Sequence, residues 1–236
     1  MSRSAELADL AGLLADRTRA AFCLALLDGR AWTAGELATH AGVAASTASE
    51  HLDRLLAGGL LVQRRQGRHR YVQIAGPQTA QLLETLTAHL EPAPRPANSL
   101  RSATVSAALA RGRTCYDHLA GRLGVAITDA MTARGLLDRR NGFTLTESGV
   151  DWLTGPLDVN PEVLRASRRP AARECLDWTE RRSHLAGTAG AQLRLRLADN
   201  DWIRRTGSGR AVRLTPAGAA ALHELLGLEA DAMELL

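Results

Sequence analysis

The chain contains no lysine, so all 29 of its basic residues are arginine, and only three of its 236 residues are cysteine. So few cysteines in a chain of this length exclude a disulfide-built scaffold and are typical of a protein that works in the reducing cytoplasm. The length itself is sufficient for two or three small domains, each with a core of its own.

Long apolar segments are also lacking. The longest, residues 20–27, is far too short to span a bilayer, and Glu6, Asp9 and Asp16 exclude an ordinary signal peptide. We therefore expect a cytoplasmic protein with no membrane partner. The chain has no glycine-rich phosphate loop, no Gly-x-Ser-x-Gly elbow and no His-Glu-x-x-His motif, so we expect that it is not an enzyme.

The net charge of +4 is modest, and its distribution is more informative than its size. Residues 92–140 carry eight arginines against three acids, whereas residues 141–236 carry twelve against thirteen. The positive field is therefore predicted to lie in the first 140 residues, where it suits a nucleic-acid partner.

Residues 33–74 have the pattern of a winged helix-turn-helix. Thr33 followed three residues later by Glu36 is a capping box that starts a first helix, and a turn at residues 41–43 leads to a second helix that begins near Ser46. Gly58 and Gly59 end the second helix. Two β-runs, residues 60–65 and 69–74, then form a hairpin with arginines on its tip and flanks. This order suits a helix in the major groove and a wing on the phosphates.

This segment resembles the bacterial ArsR/SmtB-type repressors, over roughly residues 5–90. The resemblance is carried by residues 36–38, by residues 46–61 with their Leu-Leu-Ala-Gly-Gly-Leu-Leu ending, and by the wing at residues 66–68. It implies a homodimer that binds double-stranded operator DNA as a repressor and releases it when an effector binds. A winged helix used only as a protein-interaction scaffold is the alternative reading of the same fold.

Polar and basic side chains on the second helix and the hairpin are the candidate DNA contacts. They are Ser46, Thr47, Ser49, Glu50, His51, Arg54, Arg64, Arg65, Arg68 and Arg70. Hydroxyls, arginine and glutamate on a recognition helix can bond base edges or phosphates, and arginines on a wing suit phosphates or the minor groove. The wing arginines have no acidic residue between Asp53 and Glu84 along the chain, which argues against a scaffold.

Helices are predicted on both sides of this motif. Leu7, Leu10, Leu13 and Leu14 suit an amphipathic first helix, residues 18–27 a buried second one, and Pro77 begins a helix whose apolar face is Leu82, Leu83, Leu86 and Leu90. In the resembled family the first and last of these helices form the dimer interface. Three prolines within residues 91–98 indicate a stiff linker.

Beyond the linker the sequence repeats itself. His118-Leu-Ala-Gly returns as His184-Leu-Ala-Gly, each copy is preceded by Cys-x-Asp, and Thr146 and Thr215 are equivalent helix caps, the latter with Pro216 behind it. We read each copy as helix, short hairpin, helix. The predicted fold is mainly α with small β-hairpin wings (α+β). Residues 1–90 are expected to form the DNA-binding and dimerisation domain, and residues 99–236 two degenerate winged-helix-like units that sense an effector or stiffen the dimer.

The metal sites usual in the resembled family are not recognisable here. Its metal sensors place two cysteines on the helix corresponding to residues 31–40, which has none. Others use a carboxylate-x-histidine with a later histidine and glutamate on the helix corresponding to residues 77–90, where Glu84 and His89 do not have that spacing. No cofactor is required by the sequence.

Soft ligands occur instead in the C-terminal half. Cys115 and His118 lie three apart on a predicted helix, and Cys175 and His184 lie in the second copy. If the two units pack about a pseudo-twofold axis, these side chains converge with Asp117 and Asp177. Two Cys and two His suit tetrahedral zinc, and one Cys or His suits the axial position of a haem iron.

Three other interpretations of these residues stay open. The cysteines could form a thiol switch, or they could be small buried residues beside locally paired histidines. Alternatively, Tyr116, Trp178 and Trp202 could line a pocket for an organic effector. The chain would then be a haem, metal or small-molecule sensor whose DNA contacts are secondary. Cys23 is predicted to be core.

Overall fold

The structure, a computed structural model, describes residues 2–66, 69–90, 100–166, 169–207 and 209–229. It separates into two compact units, Met1–Leu83 and Glu84–Leu236. Helices predominate, and every sheet is a small antiparallel one, so the predicted α+β class is confirmed. The predicted linker at residues 91–98 lies outside the described residues. In the part of the chain described, no helix has the length and apolarity needed to cross a membrane.

The first unit is a helical bundle with a three-stranded sheet. Its elements are α1 Arg3–Leu14, α2 Arg17–Leu26, β1 Trp32–Thr33, α3 Ala34–Ala41, α4 Ala45–Ala57, β2 Leu61–Gln66 and β3 His69–Ile74, followed by α5 Pro77–Ala88. The sheet order is β1-β3-β2, and in the β2–β3 hairpin Arg65 lies opposite Arg70.

The helix-turn-helix begins and turns as its sequence predicts. The Thr33 hydroxyl accepts from the Glu36 amide while the Glu36 carboxylate accepts from the Thr33 amide, which is the complete capping box. Gly42 ends α3 at φ +66°, in the left-handed region that favours glycine. After α4 it is Gly59, at φ +71°, that is left-handed, while Gly58 is not.

The core of the first unit holds α3 and α4 against α2. Leu37 of α3 and both Leu52 and Leu55 of α4 are fully buried in one cluster with Phe22 of α2. Cys23 belongs to the same cluster, as predicted. The α4 apolar stripe therefore faces inward and fixes which side of the helix is left to solvent.

The second unit contains two copies of one arrangement, each a hairpin, a helix, a second hairpin and a second helix. The first copy comprises β4 Arg113–Cys115, β5 His118–Ala120, α7 Gly121–Ala133, β6 Leu137–Asp138, β7 Thr144–Leu145 and α8 Glu147–Thr154, preceded by α6 Leu100–Arg111. The second comprises β8 Arg173–Leu176, β9 Ser183–Ala186, α10 Gly187–Asp199, β10 Ile203–Arg205, β11 Val212–Leu214 and α11 Pro216–Leu226, preceded by α9 Pro161–Ala166. The predicted repeat is confirmed, and each copy also has an additional hairpin at its start.

Equivalent caps and glycines define the two copies. Thr146 and Thr215 accept from the amides of Gly149 and Gly218 and so start α8 and α11. Gly121 and Gly187 open α7 and α10 at φ +74° and +84°. A Cβ on Gly121 would lie 2.7 Å from the Ala110 carbonyl oxygen, so only glycine permits this close approach.

The two copies share one core and pack on each other reciprocally. Helix α7 of the first copy packs on β9 of the second, and α10 of the second packs on β5 of the first. Leu123 and Ile127 of α7 are buried in the same cluster as Leu193 and Leu197 of α10. The copies are therefore related as if by a twofold axis, which brings β5 and β9 next to each other.

Candidate functional site

The solvent face of α4 presents a row of polar side chains. Ser46, Glu50 and Arg54 are exposed and spaced four residues apart, so they lie on one face of the helix. Thr47 and Ser49 are half-buried beside them. This face is opposite the buried stripe, and it is available to a large partner such as a DNA groove.

His51 differs from the other predicted contacts on α4. Its side chain is only 17% exposed, and its Nδ1 lies 3.5 Å from the Arg19 guanidinium and 3.6 Å from the Asp16 carboxylate. The ring therefore lies against α2 and offers less surface to a partner than Ser46, Glu50 and Arg54, and a DNA contact of His51 stays a prediction. The sequence could not reveal the contact of His51 with α2, because Asp16 and Arg19 are more than thirty residues away.

The hairpin β2–β3 presents two predicted wing arginines to solvent. Arg64 and Arg65 are exposed on β2. Arg70 on β3 instead donates to the Asp53 carboxylate of α4 at 2.6 Å. No acidic residue lies between Asp53 and Glu84 along the chain, but Asp53 itself pairs with Arg70. Arg68 lies outside the described residues.

In the second unit, the predicted soft ligands lie on hairpins and not on a helix. Cys115 on β4 is the cross-strand partner of His118 on β5, and Cys175 on β8 is the partner of His184 on β9. The prediction that Cys115 and His118 share a helix face is therefore wrong. Tyr116 takes the left-handed conformation at φ +59°, and this turn between the strands replaces the expected helical turn.

The four side chains meet at one point between the two hairpins. One ligand atom from each of Cys115, His118, Cys175 and His184 lies within 4.8 Å of the others. The two Sγ atoms are 3.9 Å apart and the two Nε2 atoms 3.1 Å apart. Cys115, His118 and His184 are buried, while Cys175 is partly accessible. We refer to this group as the Cys–His cluster.

A carboxylate stands behind each imidazole. Asp117 lies 3.2 Å from Nδ1 of His118, and Asp177 lies 3.5 Å from Nδ1 of His184. Although burial acts to raise it, hydrogen bonds from His118 and Arg169 bring the pKa of Asp117 down to about 2. Burial lowers the pKa of His118, but the hydrogen bonds to Asp117 and Cys115 and the charges of these two groups together outweigh it and hold that pKa above its ordinary value.

The thiols differ in their surroundings. The contact with Cys175, together with burial, raises the pKa of Cys115 well above its ordinary value, whereas the same contact lowers the pKa of Cys175. Cys115 also donates to the Glu84 carboxylate, with Sγ and Oε2 2.8 Å apart. Burial favours the neutral form of Glu84, but Arg210 and Arg113 outweigh this and lower its pKa.

The contact of Glu84 with the Cys–His cluster was not predicted from the sequence. Glu84 is the first residue of the second unit and is only 3% exposed. A carboxylate between the apolar residues of an amphipathic helix is a recognisable signal, because a charge in a core needs a partner. Which residue it meets depends on the tertiary fold.

The predicted aromatic candidates take part in packing. Arg169 stacks over Tyr116 at 5.7 Å and Arg113 over Trp178 at 4.9 Å. Trp202 packs against the core of the second unit. An organic-effector pocket lined by these three rings stays a prediction.

One comparison with known proteins matches part of the first unit, and another matches almost the whole chain. A family model described as "Helix-turn-helix domain" matches residues 14–64. The chain is 38% identical over 224 residues to YdfF of Bacillus subtilis, described as an uncharacterized HTH-type transcriptional regulator, and the match covers 94% of this chain and 98% of that relative. Over 84 residues it is 39% identical to the HTH-type transcriptional regulator CmtR of Mycobacterium bovis, covering 36% of this chain and 70% of that one.

Among solved structures, the chain resembles the cadmium metal-sensor CmtR of Mycobacterium tuberculosis, with 33% identity and a TM-score of 0.31, over 40% of this chain and 99% of that one. It also resembles a homodimeric winged helix-turn-helix DNA-binding domain of Mycobacterium bovis, with 31% identity and a TM-score of 0.34, over 41% of this chain and 95% of that one.

Proposed function

Since the chain belongs to the ArsR/SmtB-type family of DNA-binding winged helix-turn-helix transcriptional regulators, we propose that it is a homodimeric repressor that leaves its operator when an effector binds. Residues 1–90 would bind DNA and dimerise, residues 91–98 would link, and residues 99–236 would sense the effector. DNA binding is the general activity of this family. Repression, dimerisation and release by an effector are the properties that we propose for this chain.

The single observation that supports operator binding is the exposed polar row on α4 next to an exposed basic hairpin. Ser46, Glu50 and Arg54 project from one helix face, while Arg64 and Arg65 extend from β2. An α-helix fits the major groove, where Arg pairs with guanine and Glu accepts from cytosine. The wing arginines supply contacts to phosphates, which position the helix without reading sequence.

Exposed leucines on the first and last helices of this region support dimerisation. Leu7 on α1 is 67% exposed and Leu86 on α5 is 48% exposed. Full burial of an exposed leucine is worth roughly 1.5–3 kcal/mol, and these partly exposed side chains would contribute about half of that. A dimer would bind an inverted repeat whose half-sites are about one helical turn, ~34–36 Å, or a multiple of it apart.

The experiment that tests the proposal is selection of genomic DNA fragments on the purified full-length chain, followed by competition with unrelated DNA. We expect enrichment of one inverted repeat. Arg54→Ala should weaken binding to that repeat by ~5- to 150-fold, which corresponds to the ~1–3 kcal/mol of a good base contact, with little effect on unrelated DNA. Arg205→Ala, an exposed arginine on the hairpin β10–β11, is the matched control. No enriched fragment, or an Arg54 variant that binds like the wild type, would contradict the proposal.

A further inference from the structure

The two sequence copies place the same pair of side chains at the same register. Cys115 faces His118 across β4–β5, and Cys175 faces His184 across β8–β9. Because β5 and β9 are neighbours, each hairpin contributes one sulfur and one ring nitrogen to the same small volume. Two bidentate arms related by a twofold axis are a simple way to build a four-ligand site.

The distances within the Cys–His cluster match those of a tetrahedron around a zinc-sized ion. Ligands about 2.3 Å (sulfur) and about 2.05 Å (nitrogen) from a tetrahedral centre lie about 3.8 Å apart for two sulfurs and about 3.3 Å for two nitrogens. The observed separations are 3.9 Å for the sulfurs and 3.1 Å for the nitrogens. The limit of 4.8 Å on all separations exceeds the sulfur–nitrogen edge of about 3.6 Å in such a tetrahedron, so the ligands would draw together by up to about 1 Å when the ion binds.

Asp117 hydrogen-bonds to His118, and Asp177 lies close to the ring of His184 without a hydrogen bond to it. Asp117 and Asp177 lie beside Nδ1 of His118 and His184, so each carboxylate favours the tautomer with the proton on Nδ1. With both protons on Nδ1, the two Nε2 atoms 3.1 Å apart have no donor between them, and a metal ion bound to both would use their lone pairs. A carboxylate behind a metal-bound histidine is the usual support for such a ligand.

The charges around the cluster are compatible with a divalent ion bound by two thiolates. The neighbouring carboxylates are each paired with an arginine: Asp117 with Arg169, Asp177 with Arg113, and Glu84 with Arg210. A divalent ion that displaces both thiol protons, M²⁺ + 2 RSH → M(SR)₂ + 2 H⁺, adds no net charge to this buried volume. Without the ion, two buried thiolates in contact would repel each other.

We propose that Cys115, His118, Cys175 and His184 bind one divalent metal ion of the zinc class in tetrahedral geometry. All four protein ligands occupy the coordination sphere, which is the pattern of a closed site and not of a catalytic one. Since the four ligand atoms lie within 4.8 Å of one another, the space suits a single ion and excludes a porphyrin. The partly accessible Cys175 marks the side from which the ion enters.

The test uses the full-length chain, reduced and stripped of metal with a chelator, and titrated with Co²⁺. We expect one Co²⁺ per chain, with the visible bands of tetrahedral cobalt, thiolate-to-cobalt charge transfer, and loss of both on addition of Zn²⁺. Asp117 supports a ligand, so Asp117→Asn should lower the affinity for the metal by ~10- to 100-fold. Cys175 and His184 are ligands themselves, so Cys175→Ser and His184→Ala should each lower it by more than ~100-fold.

Cys23→Ala is the matched control, because Cys23 is buried in the core of the first unit and is the only other cysteine. It should bind cobalt as the wild type does. The titration of the wild type needs no variant to fold, and circular dichroism checks the folding of each variant.

Absence of cobalt bands in the wild type would overturn the proposal, and so would bands that persist in the folded Cys175→Ser variant. A Cys115–Cys175 disulfide that forms in air while the reduced chain binds no metal would also overturn it, in favour of a thiol switch. None of these measurements involves DNA, so their failure leaves the proposed function intact.

Discussion

Arg113 of the first copy and Asp177 of the second form an ion pair that is completely buried, with Nη2 and Oδ2 3.0 Å apart and both side chains 0% exposed. Asp177 also accepts from the Gly121 amide at 2.6 Å, at the start of α7. The Asp177 carboxylate of the second copy therefore binds β4 through Arg113 and the start of α7 through Gly121, both in the first copy. The equivalent arginine, Arg173, is exposed, so the repeat is asymmetric at this point.

Arg113→Leu is expected to destabilise the second unit by about 3–5 kcal/mol, because removal of one partner leaves Asp177 and Glu84 buried without their shared cation. Arg173→Leu, at the equivalent position, should change the free energy of unfolding by less than about 0.5 kcal/mol. Urea unfolding followed by circular dichroism measures both. Equal losses for the two variants would show that the buried pair contributes nothing specific.

The wing prediction concerns salt dependence. Arg64→Ala combined with Arg65→Ala should weaken binding to every DNA sequence, and the slope of log affinity against log salt should fall by up to about 2, since each phosphate contact contributes about 0.9. Fluorescence anisotropy at several salt concentrations gives the slope. Arg205→Ala is again the control. An unchanged slope in the double variant would show that Arg64 and Arg65 on β2 make no phosphate contacts.

The dimer prediction depends on a distinction between two leucines of α5. Leu83 is buried in the core of the first unit at 5% exposure, so its replacement by Asp would unfold the unit, whereas Leu86 is 48% exposed. Leu86→Asp alone should therefore give a folded monomer, since a charge in the interface would be desolvated without a partner. Light scattering of the eluted protein measures the mass. Leu195→Asp, at a 38% exposed position on α10, is the control, and a Leu86→Asp variant that stays dimeric would place the interface elsewhere.

The last prediction joins the metal site to the DNA. Metal binding removes the Cys115 proton and with it the bond to Glu84, and Glu84 lies on α5, the helix that begins in the first unit. Zn²⁺ should therefore weaken operator binding, by ~5- to 150-fold if the coupling is of ordinary size.

Cys115→Ser and Cys175→Ser should bind the operator normally and show no response to Zn²⁺, while Cys23→Ala should respond as the wild type does. Gel-shift titrations with and without the metal measure both properties. If Zn²⁺ releases the serine variants from the operator as well as it releases the wild type, the metal acts at a site other than the Cys–His cluster. If it releases none of the proteins, the metal is purely structural.

Local signals in the sequence were sufficient for much of the fold. The capping box at Thr33 and Glu36, the glycine at 42 and the caps at Thr146 and Thr215 each act within a few residues, so their geometry follows from nearby residue types. The exposed row on α4 follows from helical periodicity in the same way. These features predict the helix-turn-helix and its exposed polar face without any knowledge of the tertiary structure.

Pairings between distant residues could not be obtained in that way. His51 turns to Asp16, Arg70 pairs with Asp53, and Glu84 accepts from Cys115, and none of these contacts has a local signature. The repeat showed that Cys115 and Cys175 are equivalent, but a spacing of three was read as a helix when the chain forms a two-residue turn at Tyr116.

The sequence by itself therefore determined the winged helix, its caps and the duplication of the second half, because these depend on interactions over a few residues. Only the tertiary structure decided that four ligand atoms of the two copies lie within 4.8 Å of one another. That meeting requires α7 to pack on β9 while α10 packs on β5. Such reciprocal packing comes from burial of apolar surface across the whole unit, which is not directional and leaves no mark at Cys115, His118, Cys175 or His184 themselves.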